Sequence, residues 1–295
     1  MSIRQVRLFQ LPFSGDHLWR DVFSSACEAH GWRYVEYAGG ECPAIDESCS
    51  ALIVGSDRGF VETPAGTDWV VQASTSAEVL SEVALRGGLG RADALYAASI
   101  RLAAASELVR DGAMLCSAFD AHIEIPGLGV LPGPVLAQRQ LADEPALALY
   151  DTLPVNISQP MFWEGGLFSF CSEVKHYSDG VEMALLGRRR LLFNGPHIWI
   201  PSGLWQVVAS FEVAPENKAD LQIEWGYGVE TTTFSQVFTK PGRYELKLEK
   251  VWERAAPADF RISLMMPALA GRMTLHGVTI RLLSAPGSIP PIDAE

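Results

Sequence analysis

The sequence predicts two domains, a small parallel α/β unit followed by an antiparallel β-sandwich, on three observations. Strand-like and helix-like segments alternate over residues 1–120, short β-type segments with turn clusters between them fill the chain from about residue 155, and the composition of the two halves differs. Residues 1–150 carry 19 acids and 10 bases, residues 151–295 carry 16 acids and 13 bases, and all five lysines lie in the second half. A length of 295 residues suits two domains of ordinary size.

In the first half, Gln5 to Leu11 is apolar on both faces, as a buried parallel strand is. Pro12 to Asp16 forms a loop, and a helix is expected over 17–30, stopped by Gly31. Strands follow at 32–37 (WRYVEY), 50–55 (SALIVG) and 68–73 (DWVVQA), then helices over 76–86 and 91–110, the last closed by Asp111-Gly112. A parallel sheet flanked by helices, Rossmann-like or flavodoxin-like, over residues 1–120 accounts for this order. The Gly/Pro-punctuated stretch 121–154 is expected to be a connector.

From 155 to 285 ten β-type segments succeed one another with almost no helical periodicity, among them WQVVASFEVAP, ADLQIEWGYG, TTFSQVFTKPG and RYELKLEKVW. That pattern predicts an antiparallel sandwich of jelly-roll type. Lys240-Pro-Gly242 is a tight turn between two strands, and the Pro-rich residues 286–295 form a loose tail.

Several function classes are disfavoured by composition. The net charge of −12 opposes nucleic-acid or anionic-membrane binding, because most of the surface repels phosphate. No G-x-x-x-x-G-K-[ST] occurs, and Gly88-Leu-Gly90-Arg-Ala-Asp93 ends wrongly for a dinucleotide fingerprint. The five cysteines are odd in number and lack a C-x-x-C pair, so they read as reduced thiols, and neither a metal nor a cofactor is expected. No run of 18 apolar residues is present, and the N-terminus shows no long apolar h-region or A-x-A site; membrane insertion is not expected, and a cytoplasmic location is.

Two loops of the first domain are candidate ligand loops. Ser14, Gly15, Asp16 and His17 follow the first strand, where free N–H groups and a helix dipole converge. Ser56, Asp57 and Arg58 follow the third, with Arg58 suited to an anion and Asp57 to a sugar hydroxyl. Helix capping and a solvated turn explain the same residues. Five of the eight tryptophans (Trp163, Trp199, Trp205, Trp225 and Trp252) lie in the second half, and Tyr227 follows Trp225 by two residues in the polar segment EWGYGVE. Flat rings stack on the C–H faces of sugars while carboxylates accept from hydroxyls, so Trp225, Tyr227, Glu230 and Trp252 are candidate carbohydrate-binding residues, against the simpler expectation that tryptophans fill a core.

The segment Leu192 to Val213 (LFNGPHIWIPSGLWQVVASFEV) resembles the G-P-[YH]-x-x-L-P-x-G-x-[YW]-x-[VA]-x-[FV] stretch of jelly-roll, carbohydrate-binding-module-like domains attached to bacterial glycosyltransferases and polysaccharide-biosynthesis proteins. Gly195, Pro196, Pro201, Gly203 and Trp205 match, Ile200 stands where the pattern has Leu, and Phe211 falls two residues late. The resemblance implies a jelly roll that binds a glycan or a protein partner of a polysaccharide-synthesis system, and the first expectation is an accessory protein that is non-catalytic or weakly catalytic. An enzyme holding a nucleotide or nucleotide-sugar in the α/β domain and a scaffold that assembles into a homo-oligomer are the other two expectations.

Overall fold

The computed structural model describes residues 4–37, 39, 48–61, 68–137, 139–157 and 159–287. The chain divides into two compact units, Met1–Glu144 with Tyr150–Pro154 and Pro145–Leu149 with Val155–Glu295.

In the first unit the elements run β1 (Gln5–Gln10), α1 (Asp16–His30), β2 (Arg33–Glu36), β3 (Ala51–Gly55), α2 (Arg58–Val61), β4 (Asp68–Ala73), α3 (Ser76–Gly87), α4 (Arg91–Arg110), β5 (Met114–Ser117), β6 (His122–Ile125) and β7 (Gly129–Pro132). Strands β1 to β5 form one sheet in the order β2-β3-β1-β4-β5, parallel at every pairing. The parallel α/β architecture is present, with an order that differs from both the Rossmann (3-2-1) and the flavodoxin (2-1-3) arrangements. The order reverses between β1 and β4.

Trp19, Phe23 and Cys27 recur at four-residue spacing on α1 and are all 0% exposed, so this stripe anchors the helix on the sheet. Gly31 ends α1 in the left-handed conformation at φ 68, its N–H returning to the carbonyls of Cys27 and Glu28. The expected connector is different in the structure. Residues 122–132 form the antiparallel hairpin β6–β7, and Ile123, Ile125, Leu128 and Leu131 are buried in one cluster with Trp19 and Trp32. The alternation Ile123-Glu-Ile125 is a strand signal; turn-forming Gly127 and Gly129, both at positive φ, gave the stretch its linker-like composition. The tail expected at 286–295 lies outside the described residues from 288 onward.

The second unit contains β8 (Met161–Glu164), β9 (Ser169–Phe170), β10 (Val174–Tyr177), β11 (Gly180–Ala184), β12 (Arg190–Asn194), β13 (Pro196–Ile200), β14 (Gly203–Pro215), β15 (Ala219–Tyr227), β16 (Glu230–Phe238), β17 (Gly242–Trp252), β18 (Ala256–Leu264) and β19 (Gly271–Ser284). They make two six-stranded antiparallel sheets, β10-β11-β19-β14-β17 with β8 beside β19, and β16-β15-β18-β12-β9 with β13 beside β18. This is a β-sandwich. Its core follows the period of two: Trp205, Val207, Ala209, Phe211 and Val213 of β14 are at most 1% exposed, as are Leu221, Ile223 and Trp225 of β15. Among the described residues no helix is long and apolar enough to cross a membrane.

Candidate functional site

β16 and β17 are the end strands of the two different sheets, and the turn at 239–241 carries the chain from one to the other. A groove of about 350 Å³ lies along their far ends, lined by Phe211, Phe234, Phe238, Tyr244 and Leu246 together with Gln236, Thr239, Lys240 and Glu245. The aromatic floor is cross-braced. Phe238 meets Tyr244 edge-on at 4.7 Å between centroids, Phe211 lies 6.0 Å from Phe238, and the Tyr244 hydroxyl donates to the Lys240 carbonyl at 3.0 Å. Phe234 at the groove wall is 36% exposed, which leaves its ring open to a ligand.

At the opposite end of the same two strands, Tyr227 packs 5.9 Å from Trp252, and the Lys250 ammonium sits 5.4 Å from the Tyr227 ring and 5.8 Å from the Trp252 ring. The Tyr227 hydroxyl bonds to the Glu230 carboxylate, and that bond, with a smaller contribution from burial, pushes the phenol pKa up. Midway, the Thr232 hydroxyl donates to the Glu249 carbonyl at 3.1 Å and ties the two edges together.

Of the four expected carbohydrate residues, Tyr227 is half-buried, Glu230 is exposed, and the two tryptophans are buried. Trp225 and Trp252 are 0% and 1% exposed, and their rings pack 4.8 Å apart, with Trp163 6.1 Å beyond Trp225. A sugar cannot stack on either indole, because inward parity on β15 and β17 commits both to the sandwich core. Tyr227 and Glu230 stay at the margin. The ring-bearing wall formed by Phe234, Phe238 and Tyr244 was missed; its signal was a phenylalanine in the uncharged run TTTFSQVF just before the K-P-G turn.

The G-P-H segment is a brace. The buried Asp259 carboxylate accepts the Gly195 N–H at 2.9 Å and pairs with Arg261 at 2.7 Å, while His197 takes a left-handed φ of 63 and places Nδ1 4.0 Å from Asp259. Arg261 also donates to the Gly228 carbonyl, in the turn between Tyr227 and Glu230.

In the α/β unit the two expected ligand loops are engaged internally. Both the N–H and the hydroxyl of Ser14 donate to Glu78, which is 1% exposed, at 3.0 and 2.7 Å. An anion at the switch point would compete with this carboxylate for the same donors. Asp16 is buried and ion-paired to Arg86 at 2.6 Å, a bond that pushes the Arg86 pKa up, and a Cβ on Gly15 would press on Leu136 at 2.7 Å. His17 is exposed. Beyond β3, Asp57 accepts the Phe60 N–H at 3.1 Å and caps α2, with Ser56 and Arg58 half-buried beside it. Among the described residues no group of three or more His, Cys, Asp or Glu is placed to hold a metal.

No family model matches the chain, and no curated protein matches it. Solved structures to which it is similar include one described as "CBM4 structure and function", 10% identical over 38% of this chain and 90% of that one with a TM-score of 0.29. A module in complex with β-1,4-galactotriose (TmCBM61) is 8% identical over 43% of this chain and 90% of that one, TM-score 0.28. The xylan-binding module CBM15 is 16% identical over 44% of this chain and 95% of that one, TM-score 0.27.

Proposed function

We propose that this protein binds an oligosaccharide along the β16–β17 edge of its sandwich, and that it does so as an accessory component of polysaccharide synthesis rather than as a catalyst. The observation that carries the binding is the groove itself: the partly exposed Phe234 and Tyr244 rings stand over the buried Phe211 and Phe238, beside Gln236, Thr239, Lys240 and Glu245, which have the donors and acceptors that hydroxyl groups require. A sugar offers apolar C–H faces and a rim of hydroxyls, so a ring wall with polar groups at its margin suits it better than it suits a lipid or a phosphate. Tyr227, Glu230 and Lys250, at the other end of the same strands, extend the surface available to a longer chain. The polysaccharide-synthesis setting is supported by the Gly195 to Trp205 resemblance alone.

The test is a glycan array on the full chain, followed by titration of the best ligand against Tyr244→Ala and Phe234→Ala. Each truncation should weaken binding by about two- to ten-fold, since an aromatic stacking contact is worth about 0.5–1.5 kcal/mol. Binding to no glycan, or binding untouched by both truncations, overturns the proposal.

A further inference from the structure

β16 has the features of a strand that recruits a partner. Among the described residues it pairs only with β15, in a nine-residue register with no bulge. Natural sheet edges are ordinarily guarded by charges, prolines or bulges. β17, the neighbouring edge, follows that rule with Arg243, Glu245, Lys247, Glu249 and Lys250. In contrast, residues 231–239 (TTTFSQVFT) contain no charge and no proline, and Val237 is 46% exposed.

The direction of the free groups follows from the hairpin. Tyr227 and Glu230 are opposed across the two-residue turn Gly228-Val229, and residues flanking such a turn exchange both backbone hydrogen bonds. Alternation from Glu230 then aims the N–H and C=O groups of Thr231, Thr233, Ser235 and Val237 away from β15. We propose that this edge pairs with the β16 of a second copy of the chain, antiparallel about a two-fold axis at Ser235.

Self-complementarity selects this occupant and this register. With Ser235 opposite its own copy, Thr233 faces Val237, all three edge-directed residues of β16, so the backbone bonds match, and Thr231 comes opposite Thr239, the first residue past the strand. The first charges on either side, Glu230 and Lys240, then stand opposite each other, twice by symmetry. A uniformly uncharged strand would leave the register open; these two residues close it.

The test is sedimentation velocity of the full chain over rising concentration, without sugar, so its outcome is independent of glycan binding. Wild type should pass from 32.1 kDa to twice that mass. Ser235→Pro, which removes a backbone donor that the single chain leaves unused, should stay monomeric with an unchanged far-ultraviolet circular dichroism spectrum. Glu230→Lys should weaken the dimer by about ten-fold, because both pairs become Lys against Lys, and adding Lys240→Glu should restore it. A wild type monomeric at every concentration, a folded Ser235→Pro variant that still dimerises, a Glu230→Lys variant as tight as wild type, or a double variant that is not restored overturns the proposal.

Discussion

Removing the Asp259 carboxylate tests whether the G-P-H segment is a structural brace. In Asp259→Ala the Gly195 N–H loses its acceptor, and Arg261, whose side chain is only 25% exposed, loses its counter-charge. An unsatisfied buried donor costs about 1–3 kcal/mol. Breaking a buried ion pair from one side costs about 3–5 kcal/mol, and the partial exposure of Arg261 places this pair at or below the lower end of that range. The sum is about 4 kcal/mol, which lowers the melting temperature of a domain this size by about 12 °C. Asp259→Asn keeps an acceptor for Gly195 but sets an amide NH2 donor against Arg261 in place of the oxygen that accepts from it, so only the Arg261 part, at most about 3 kcal/mol, should be lost. Scanning calorimetry of the full chain reads the sandwich transition. An Asp259→Ala protein within 1 kcal/mol of wild type, or one no worse than Asp259→Asn, would refute the bracing role. Because Arg261 also holds the Gly228 carbonyl, Asp259→Ala should in addition weaken glycan contacts made through Tyr227 and Glu230.

Trp225→Ala should cost about 3–5 kcal/mol in urea unfolding by opening a cavity between Trp163 and Trp252, whereas Tyr227→Phe should change stability by under about 1 kcal/mol. Glu78→Ala leaves the Ser14 N–H and hydroxyl without their acceptor and should destabilise the α/β unit by about 1–3 kcal/mol, read by the lower melting temperature of that unit. Burial pushes the Cys27 thiol up to about 11 and the Cys116 thiol up to about 12, so at pH 8 a thiol reagent should label exposed Cys171 quickly and neither of these until unfolding. Since the folded pKa of Cys27 lies above its ordinary value of 9.0, the stability linked to keeping it protonated is complete below pH 9 and is lost as pH rises through about 11; Cys27→Ala should flatten that alkaline decline in a denaturation series.

Periodicity made most elements legible. The apolar runs at 5–10, 51–55 and 68–73 and the Ala/Leu-rich stretch at 91–110 carry their own punctuation, and the long alternating strands of the sandwich could hardly be anything else. The hairpin at 122–132 escaped because its glycines look like a linker until the burial of Ile123 and Leu131 is seen. The site was half legible for a related reason. Tryptophan content draws attention to Trp225 and Trp252, but whether a ring on an alternating strand faces the core or a ligand depends on the other sheet, which local sequence does not encode. The groove instead combines residues from β14, β16 and β17, brought together only when the end strands of two sheets meet at one turn. Likewise, nothing near Ser14 announces that Glu78, 64 residues later, will take up its donors.

Hydrogen exchange of the full chain with and without the best oligosaccharide from the array tests the central claim most directly. Bound glycan should slow exchange in peptides covering residues 230–246, with little change over the β1–α1 and β3–α2 loops. Protection confined to those loops, or to a sandwich face away from β16 and β17, would contradict the assignment of the glycan to this edge.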